Sequence, residues 1–310
     1  MEAKVEVRVQ PKPNPDYKQE KAVSPGRLVW NRLSKNKLAI SGMFILLVIA
    51  IVSVAGPWCS PYTMESMDFS SRLMGPSGAH LLGTDHLGRD VFTRLMYAGR
   101  ISLTIGIVAV LIEVVIGGGL GAVAGFYGGK IDGIIMRGVD IFLCLPFLPL
   151  LIVLGAILSD FKVSPQYRIY MVMLILGLVA WPVICRVVRG QILSLREQEF
   201  MQATEAVGLK DRRKIFNHLL PNTFPAIIVA ATLGIGSAIL TESALSFLGL
   251  GVMPPTASWG NMIQVVNDLY SIQHYSWLWV PPGVCILLTV MAINLFGDGL
   301  RDALDPKLKK

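Results

Sequence analysis

Six stretches of about twenty residues run almost free of charge: Leu38–Trp58, Ile101–Phe126, Val139–Leu158, Ile169–Val188, Thr223–Gly249 and Trp277–Phe296. A helix rises 1.5 Å per residue, so about 20 apolar residues cross the roughly 30 Å hydrocarbon layer of a bilayer. The expected fold is therefore an all-α polytopic membrane protein with six transmembrane helices. The composition agrees: 53% of residues are hydrophobic and 16% charged, against about 25% charged in soluble domains. Pro146, Pro149 and Pro182 fall in the third and fourth runs. Membrane helices tolerate proline where neighbours satisfy the freed carbonyls, so the third run is expected to be kinked.

Orientation follows from the connections between spans. With the N-terminal tail inside, 22 of the 28 Lys and Arg residues lie on inner segments and 6 on outer ones. Positively charged connections stay cytoplasmic, which places both termini and the 189–222 insert in the cytoplasm. Residues 1–30 are polar and proline-bearing, reading as a cytoplasmic tail rather than a cleavable signal peptide. The transmembrane domain is assigned to residues 31–306, with long outer connections at 59–100 and 250–276. A net charge of +7 raises nucleic acid as a partner, but the basic residues sit between apolar spans and form no aromatic-studded face, which excludes it. Cys59, Cys144, Cys185 and Cys285 show no CxxC spacing and read as buried free thiols.

The insert QEFMQATEAVGLKDRRKIFNHLLPN (198–222) looks unlike its apolar flanks. Gln198–Val207 is a good helix former, with Glu197 and Glu199 at the end that favours negative charge. Gly208 supplies a left-handed helix stop. Asp211 is placed to cap a second helix, with Ile215, Phe216, Leu219 and Leu220 on one side of it. Pro221 marks a bend into the fifth span. Physics alone allows a basic amphipathic anchor to anionic lipid as readily as a protein contact. Gly117, Gly121, Gly125 and Gly129 stand four apart in and just after the second span, where small residues let helices approach closely. No G-x-x-x-x-G-K-[ST] stretch occurs, so the chain has no phosphate-cradling loop of its own.

The insert resembles the cytoplasmic signature of bacterial ABC-importer permeases, E-A-A, three residues, Gly, and a run ending in I-x-L-P. Gln202, Ala203 and Thr204 occupy the E-A-A positions, Gly208 follows at the right spacing, and HLLPN (218–222) closes the run. The glutamate and the second alanine are absent. HLLGTDHLGRDVFTRLMYAGRISL (80–103), GFYGGKIDGIIMRGVDIFL (125–143), ESALSFLGLGVMPPTASWG (242–260) and the N-terminal NRLSKNKLAISG resemble the dipeptide, oligopeptide and nickel subfamily, "C"-type subunit. The resemblance covers residues 26 to 306. It implies a type I importer permease fold whose cytoplasmic coupling helices dock an ATPase, with Phe200, Gln202, Ala203, Thr204, Gly208 and Pro221 as coupling residues. It further implies a second permease subunit, two ATPases carrying the ATP and Mg, an external substrate-binding protein, and peptide as cargo, with nickel or another chelate as the runner-up. No cofactor is expected in this chain.

Several residues stand outside that signature. Glu113 lies near the middle of the second span, where an ionised carboxylate costs about 2.5–3.5 kcal/mol on insertion scales. It is expected to face the bundle or a wet cavity, either meeting a peptide amine or being protonated or paired with a polar residue on a neighbouring span. The resemblance places Glu242 near the outer gate, so both glutamates are candidates for the translocation path. His80, Asp85, His86 and Asp90 have ligand-type side chains, but Asp85–Arg94 or Arg89–Asp90 ion pairs explain them as well as a metal. The span interiors hold no aspartate pair and no histidine, which argues against an intramembrane hydrolase, and a passive channel leaves the insert unexplained.

Overall fold

The computed structural model describes residues 25–161 and 163–305. Most of the expected 1–30 tail lies outside the described residues, but from Pro25 the chain is helical. The short α1 (Pro25–Leu33) packs through Leu33 onto Ala39 and Ala303, and its Arg32 donates to the Asp305 carbonyl at 3.1 Å. Asn36 then starts α2 (Lys37–Cys59) by accepting from the N–H groups of Leu38 and Ala39. The remaining helices are α3 (Val91–Tyr127), α4 (Gly129–Cys144), α5 (Phe147–Asp160), α6 (Pro165–Arg196), α7 (Glu199–Ala206), α8 (Asp211–Arg213), α9 (Leu220–Phe247), α10 (Trp259–Ile263), α11 (Leu269–His274) and α12 (Ser276–Leu304).

Among the described residues, five helices are long and apolar enough to cross a bilayer: α2, α3, α6, α12, and the continuous run Asp211–Phe247 that joins α8 to α9. The third expected span is two helices, α4 and α5, meeting at 84°. Pro146 explains the break, since it has no N–H for the next turn and holds its neighbour Leu145 in extended backbone. Whether this pair crosses is decided by its neighbours. In the α3–α6 contact, a Cβ at Gly117 would lie 2.5 Å from the Trp181 carbonyl oxygen, and one at Gly121 would lie 2.5 Å from that of Cys185. A Cβ at Gly125 would lie 2.8 Å from Ile192 Cβ. Numbers rise together on both helices, so α3 and α6 run parallel, and the chain between them has to return across the layer. The α4–α5 pair is therefore a crossing.

Three of the four expected packing glycines thus hold α3 against α6, and Gly177 reciprocates from the α6 side. Gly129 does not. It lies beyond the end of α3 with φ +52 and open space around its Cβ direction, so it serves the turn into α4. The α3–α9 and α2–α12 pairs are antiparallel: Ser102 meets Glu242 and Gly106 meets Ile239 in the first, and Gly42 meets Ala292 and Gly299 meets Ala39 in the second. With six crossings, the start of α2, the end of α12 and the 197–219 insert share one face. The connections 60–90 and 248–275 lie on the opposite face. The cysteines are less uniform than expected, with Cys185 buried, Cys285 half-buried, and Cys59 and Cys144 exposed.

Candidate functional site

The site has two parts, an insert on one face and a cavity between the helices behind it. In the insert, α7 ends as the sequence implies. Gly208 adopts φ +71, its N–H reaches the Glu205 carbonyl at 2.9 Å, and the Leu209 N–H reaches back to Thr204 at 3.1 Å. That pair of bonds is the Schellman closure, which needs a residue tolerant of the left-handed region.

The second short helix differs from expectation. Asp211 is its first residue rather than its cap; Lys210 occupies the cap position and contributes no side-chain bond. Nor is it a separate helix, since it runs through a wide π-type turn, Lys214–Leu219, into α9. The turn sits immediately before Pro221, whose missing N–H cannot continue an ordinary ladder; the Leu220 N–H bonds Ile215 instead, and the Asn222 amide takes up the His218 carbonyl at 2.6 Å. Ile215 and Leu219 are buried and Leu220 half-buried, but Phe216 is 60% exposed and leaves the expected cluster. Lys214 ties the two pieces together, 3.8 Å from both Glu205 and Asp211.

The insert's buried side fastens it to the spans. Met201, Ile215 and Leu219 share one core with Ala122 of α3, Ile184, Val188 and Ile192 of α6, and Ile227 of α9, with Phe200 packed at its edge. Thr204 is also buried, its hydroxyl donating to the Met201 carbonyl at 2.7 Å. Of the expected coupling residues, Gln202, Ala203, Gly208 and Pro221 are exposed, whereas Phe200 and Thr204 pack towards the spans. Val207 and Phe216, 78% and 60% exposed, add apolar surface that the signature spacing did not single out.

Behind the insert, α3, the α4–α5 break, α6 and α9 enclose a cavity of about 570 Å³. Its wall is mostly aliphatic and aromatic, and Glu113 is its one charged residue. The carboxylate is buried, and among the described residues it has no hydrogen-bond or ion-pair partner, so no neighbouring span neutralises it. Gly234 keeps the space before it open: a Cβ there would stand 3.6 Å from Glu113 Oε2. Glu242, by contrast, is not on the cavity wall. It is fully buried towards the opposite face, accepting from Ser102 Oγ at 3.2 Å and Ser246 Oγ at 2.7 Å.

On that opposite face three of the four ligand-type side chains, His80, Asp85 and Asp90, are engaged with protein groups. His80 pairs with Asp90 at 3.0 Å, and Asp90 also caps α3 through the Thr93 N–H and hydroxyl. Asp85 accepts from Arg89 at 2.7 Å and lies 3.7 Å from Arg94. The Asp85–Arg94 contact is the expected one; Arg89 turns to Asp85 rather than to Asp90. His86 is exposed, but partial desolvation holds it below the ordinary imidazole range, against the pull of Asp85 and with the push of the neighbouring arginines. Arg168, nearly absent from the surface, knits this face together without a carboxylate, donating to the carbonyls of Gly251 and Leu250 and to Ser159.

The arrangement, a cavity between six crossings and a knob fastened to three of their ends, has counterparts among known proteins. The model of the binding-protein-dependent transport system inner membrane component matches residues 117–310, and that of the N-terminal TM domain of oligopeptide transport permease C matches residues 24–76. The dipeptide transport system permease protein DppC of Alkalihalophilus pseudofirmus is 42% identical over 301 residues, covering 96% of each chain. The oligopeptide transport system permease protein OppC of Bacillus subtilis is 38% identical over 279 residues, 90% of this chain and 88% of that one. Among solved structures, an inward-facing MetNI methionine ABC transporter aligns with a TM-score of 0.52 at 21% identity, over 68% of this chain and 96% of its own. That likeness bears on the fold, a type I ABC importer permease. Joined to the two family matches, which together take in the first span and everything from mid-α3 onward, it leaves one assignment: the chain belongs to the family of binding-protein-dependent transport inner membrane components.

Proposed function

We propose that this chain forms half of the membrane path of an ATP-driven importer of dipeptides or oligopeptides, completed by a second permease subunit. Two ATPases carrying ATP and Mg dock on the insert face, which is cytoplasmic together with both termini, and an external binding protein delivers cargo to the other face. The observation that carries this reading is mechanical. The core that anchors α7 also holds α3, α6 and α9, the helices that line the cavity. A force applied to the exposed side of α7 therefore acts on the cavity wall through packed side chains. Cargo chemistry follows from the wall: apolar surface tolerates many side chains, while Glu113 offers one carboxyl group to a peptide's free amine. The relatives named for dipeptide and oligopeptide transport support peptide over a nickel chelate.

The test is ATP-dependent uptake by the complete complex in proteoliposomes, with labelled peptides bearing free or acetylated N-termini. Glu113→Gln is expected to lower uptake of free-amine peptides on the order of tenfold, about what a charge-assisted hydrogen bond contributes, and to leave acetylated ones unchanged. Equal uptake of both peptide types by wild type and variant would remove Glu113 from the path, and absence of any peptide uptake would remove the function.

A further inference from the structure

On the face opposite the insert, the two long connections enclose a second pocket, of about 330 Å³, and it is as cationic as the first cavity is apolar. Arg89 and Arg94 line it, each 5% exposed, together with Asp85, His86 and Gln264. Two guanidiniums here share a single carboxylate. Asp85 takes Arg89 Nε on one oxygen and gives the other to the N–H groups of Leu87 and Arg89. Arg94 stands 3.7 Å from the same carboxylate and donates Nη1 to the Met64 carbonyl at 3.3 Å. Asp90, the other acid nearby, is occupied by His80 and Thr93. Among the described residues, both Nη atoms of Arg89, Nη2 of Arg94 and the Gln264 side-chain amide make no hydrogen bond.

Two buried guanidiniums on one carboxylate leave a charge imbalance that is costly to hold, and the planar fork matches a carboxylate. The pocket therefore carries one more positive than negative charge, and among the described residues no carboxylate other than Asp85 pairs with Arg89 or Arg94. We infer that this pocket receives a carboxylate side chain, aspartate or glutamate, of the external binding protein as it docks. The inference rests on the importer reading above. Position favours a docking partner over cargo, because the pocket is built from residues 85–94 and 254–278 and shares no lining residue with the cavity at Glu113. Charge favours an acidic side chain, since a carboxylate can take two guanidinium N–H groups at once.

The experiment measures binding protein affinity for the complete complex in nanodiscs by biolayer interferometry, with uptake followed in parallel. Arg89→Gln is expected to weaken docking at least tenfold, and Arg89→Lys nearly as much, because lysine keeps the charge but loses the fork. Neutralising surface acids of the binding protein one at a time should find one whose loss is not additive with Arg89→Gln. If Arg89→Gln fails to insert, Arg94→Gln carries the same test, since its bond to Asp85 is the longer. Unchanged docking in an inserted variant overturns the inference, as does coupling of Arg89 to an acid on the second permease. Normal docking with uptake that has become insensitive to amidation of the peptide C-terminus also overturns it, in favour of cargo. A wild-type complex that neither docks the binding protein nor transports overturns the importer reading itself.

Discussion

At the scale of single residues, Glu242 illustrates how a buried acid can organise backbone it does not touch. Its two oxygens hold the hydroxyl protons of Ser102 and Ser246. A serine hydroxyl has one proton and two lone pairs, so with the protons fixed the oxygens are free to accept. Ser246 accepts from the Val252 N–H at 2.9 Å and Ser102 from the Trp259 N–H at 3.2 Å. One side chain of α9 thereby pins both ends of residues 252–259 on the face opposite the insert. Glu242→Ala should release both amides, and Glu242→Gln, which keeps one acceptor oxygen, should release chiefly one. A buried hydrogen bond left unmade costs about 1–3 kcal/mol, so protection against hydrogen exchange at Val252 and Trp259 should fall by roughly tenfold or more in the alanine variant. Wild-type protection at both amides in Glu242→Ala would show that the serines hold the loop unaided. None of this relay was legible in the sequence, because its members lie as far apart as residues 102 and 259. The sequence did single out Glu242, and what it lacked was the partners.

At the scale of elements, the insert shows which physics is local and which is not. Helix, glycine and restart were readable because each is fixed by neighbours a few residues away. The left-handed φ of Gly208 is such a case. The fusion of the second piece with α9 was not readable, since Pro221 signals a break and the wide turn before it absorbs the proline instead. Gly208 also permits an unusually clean substitution. A Cβ there meets nothing within 4 Å, so Gly208→Val adds backbone strain without a clash. That strain is of order 1–3 kcal/mol. It falls on the joint between α7 and Asp211, while the spans keep their own backbone bonds. The variant is expected to insert normally but to lose ATPase stimulation by loaded binding protein together with uptake. Lys210→Ala, at an exposed position whose side chain makes no capping bond, is the control and should behave as wild type. Full stimulation and uptake in an inserted Gly208→Val would mean that the angle between the two pieces does not transmit the motion.

At the scale of the whole molecule, topology turns on the bent pair α4–α5. Five long helices alone would put the two ends of the chain on opposite sides, and six crossings put them on the same side. Hydropathy counts a run there but cannot tell a kinked crossing from a re-entrant loop, because the two have the same composition. What distinguishes them is the parallel packing of α3 on α6, a relation between residues about 65 apart that leaves no periodic trace. The basic residues then argue for direction: the sequence count of 22 against 6 is the expectation that the insert side is cytoplasmic. Single cysteines at three exposed positions test both steps at once, in a variant without the four native thiols, two of which are themselves exposed. Lys35→Cys lies before α2, Lys210→Cys in the insert, and Glu65→Cys in the connection to α3. A membrane-impermeant maleimide applied to intact cells should label position 65 alone, and inverted vesicles should expose 35 and 210 together. If 35 and 210 label from opposite sides, the α4–α5 pair does not cross and the parallel packing has been misread. If they label together but from outside, six crossings stand and the charge bias has given the wrong direction, which would move the ATPases to the other face and with it the binding protein's pocket at Arg89.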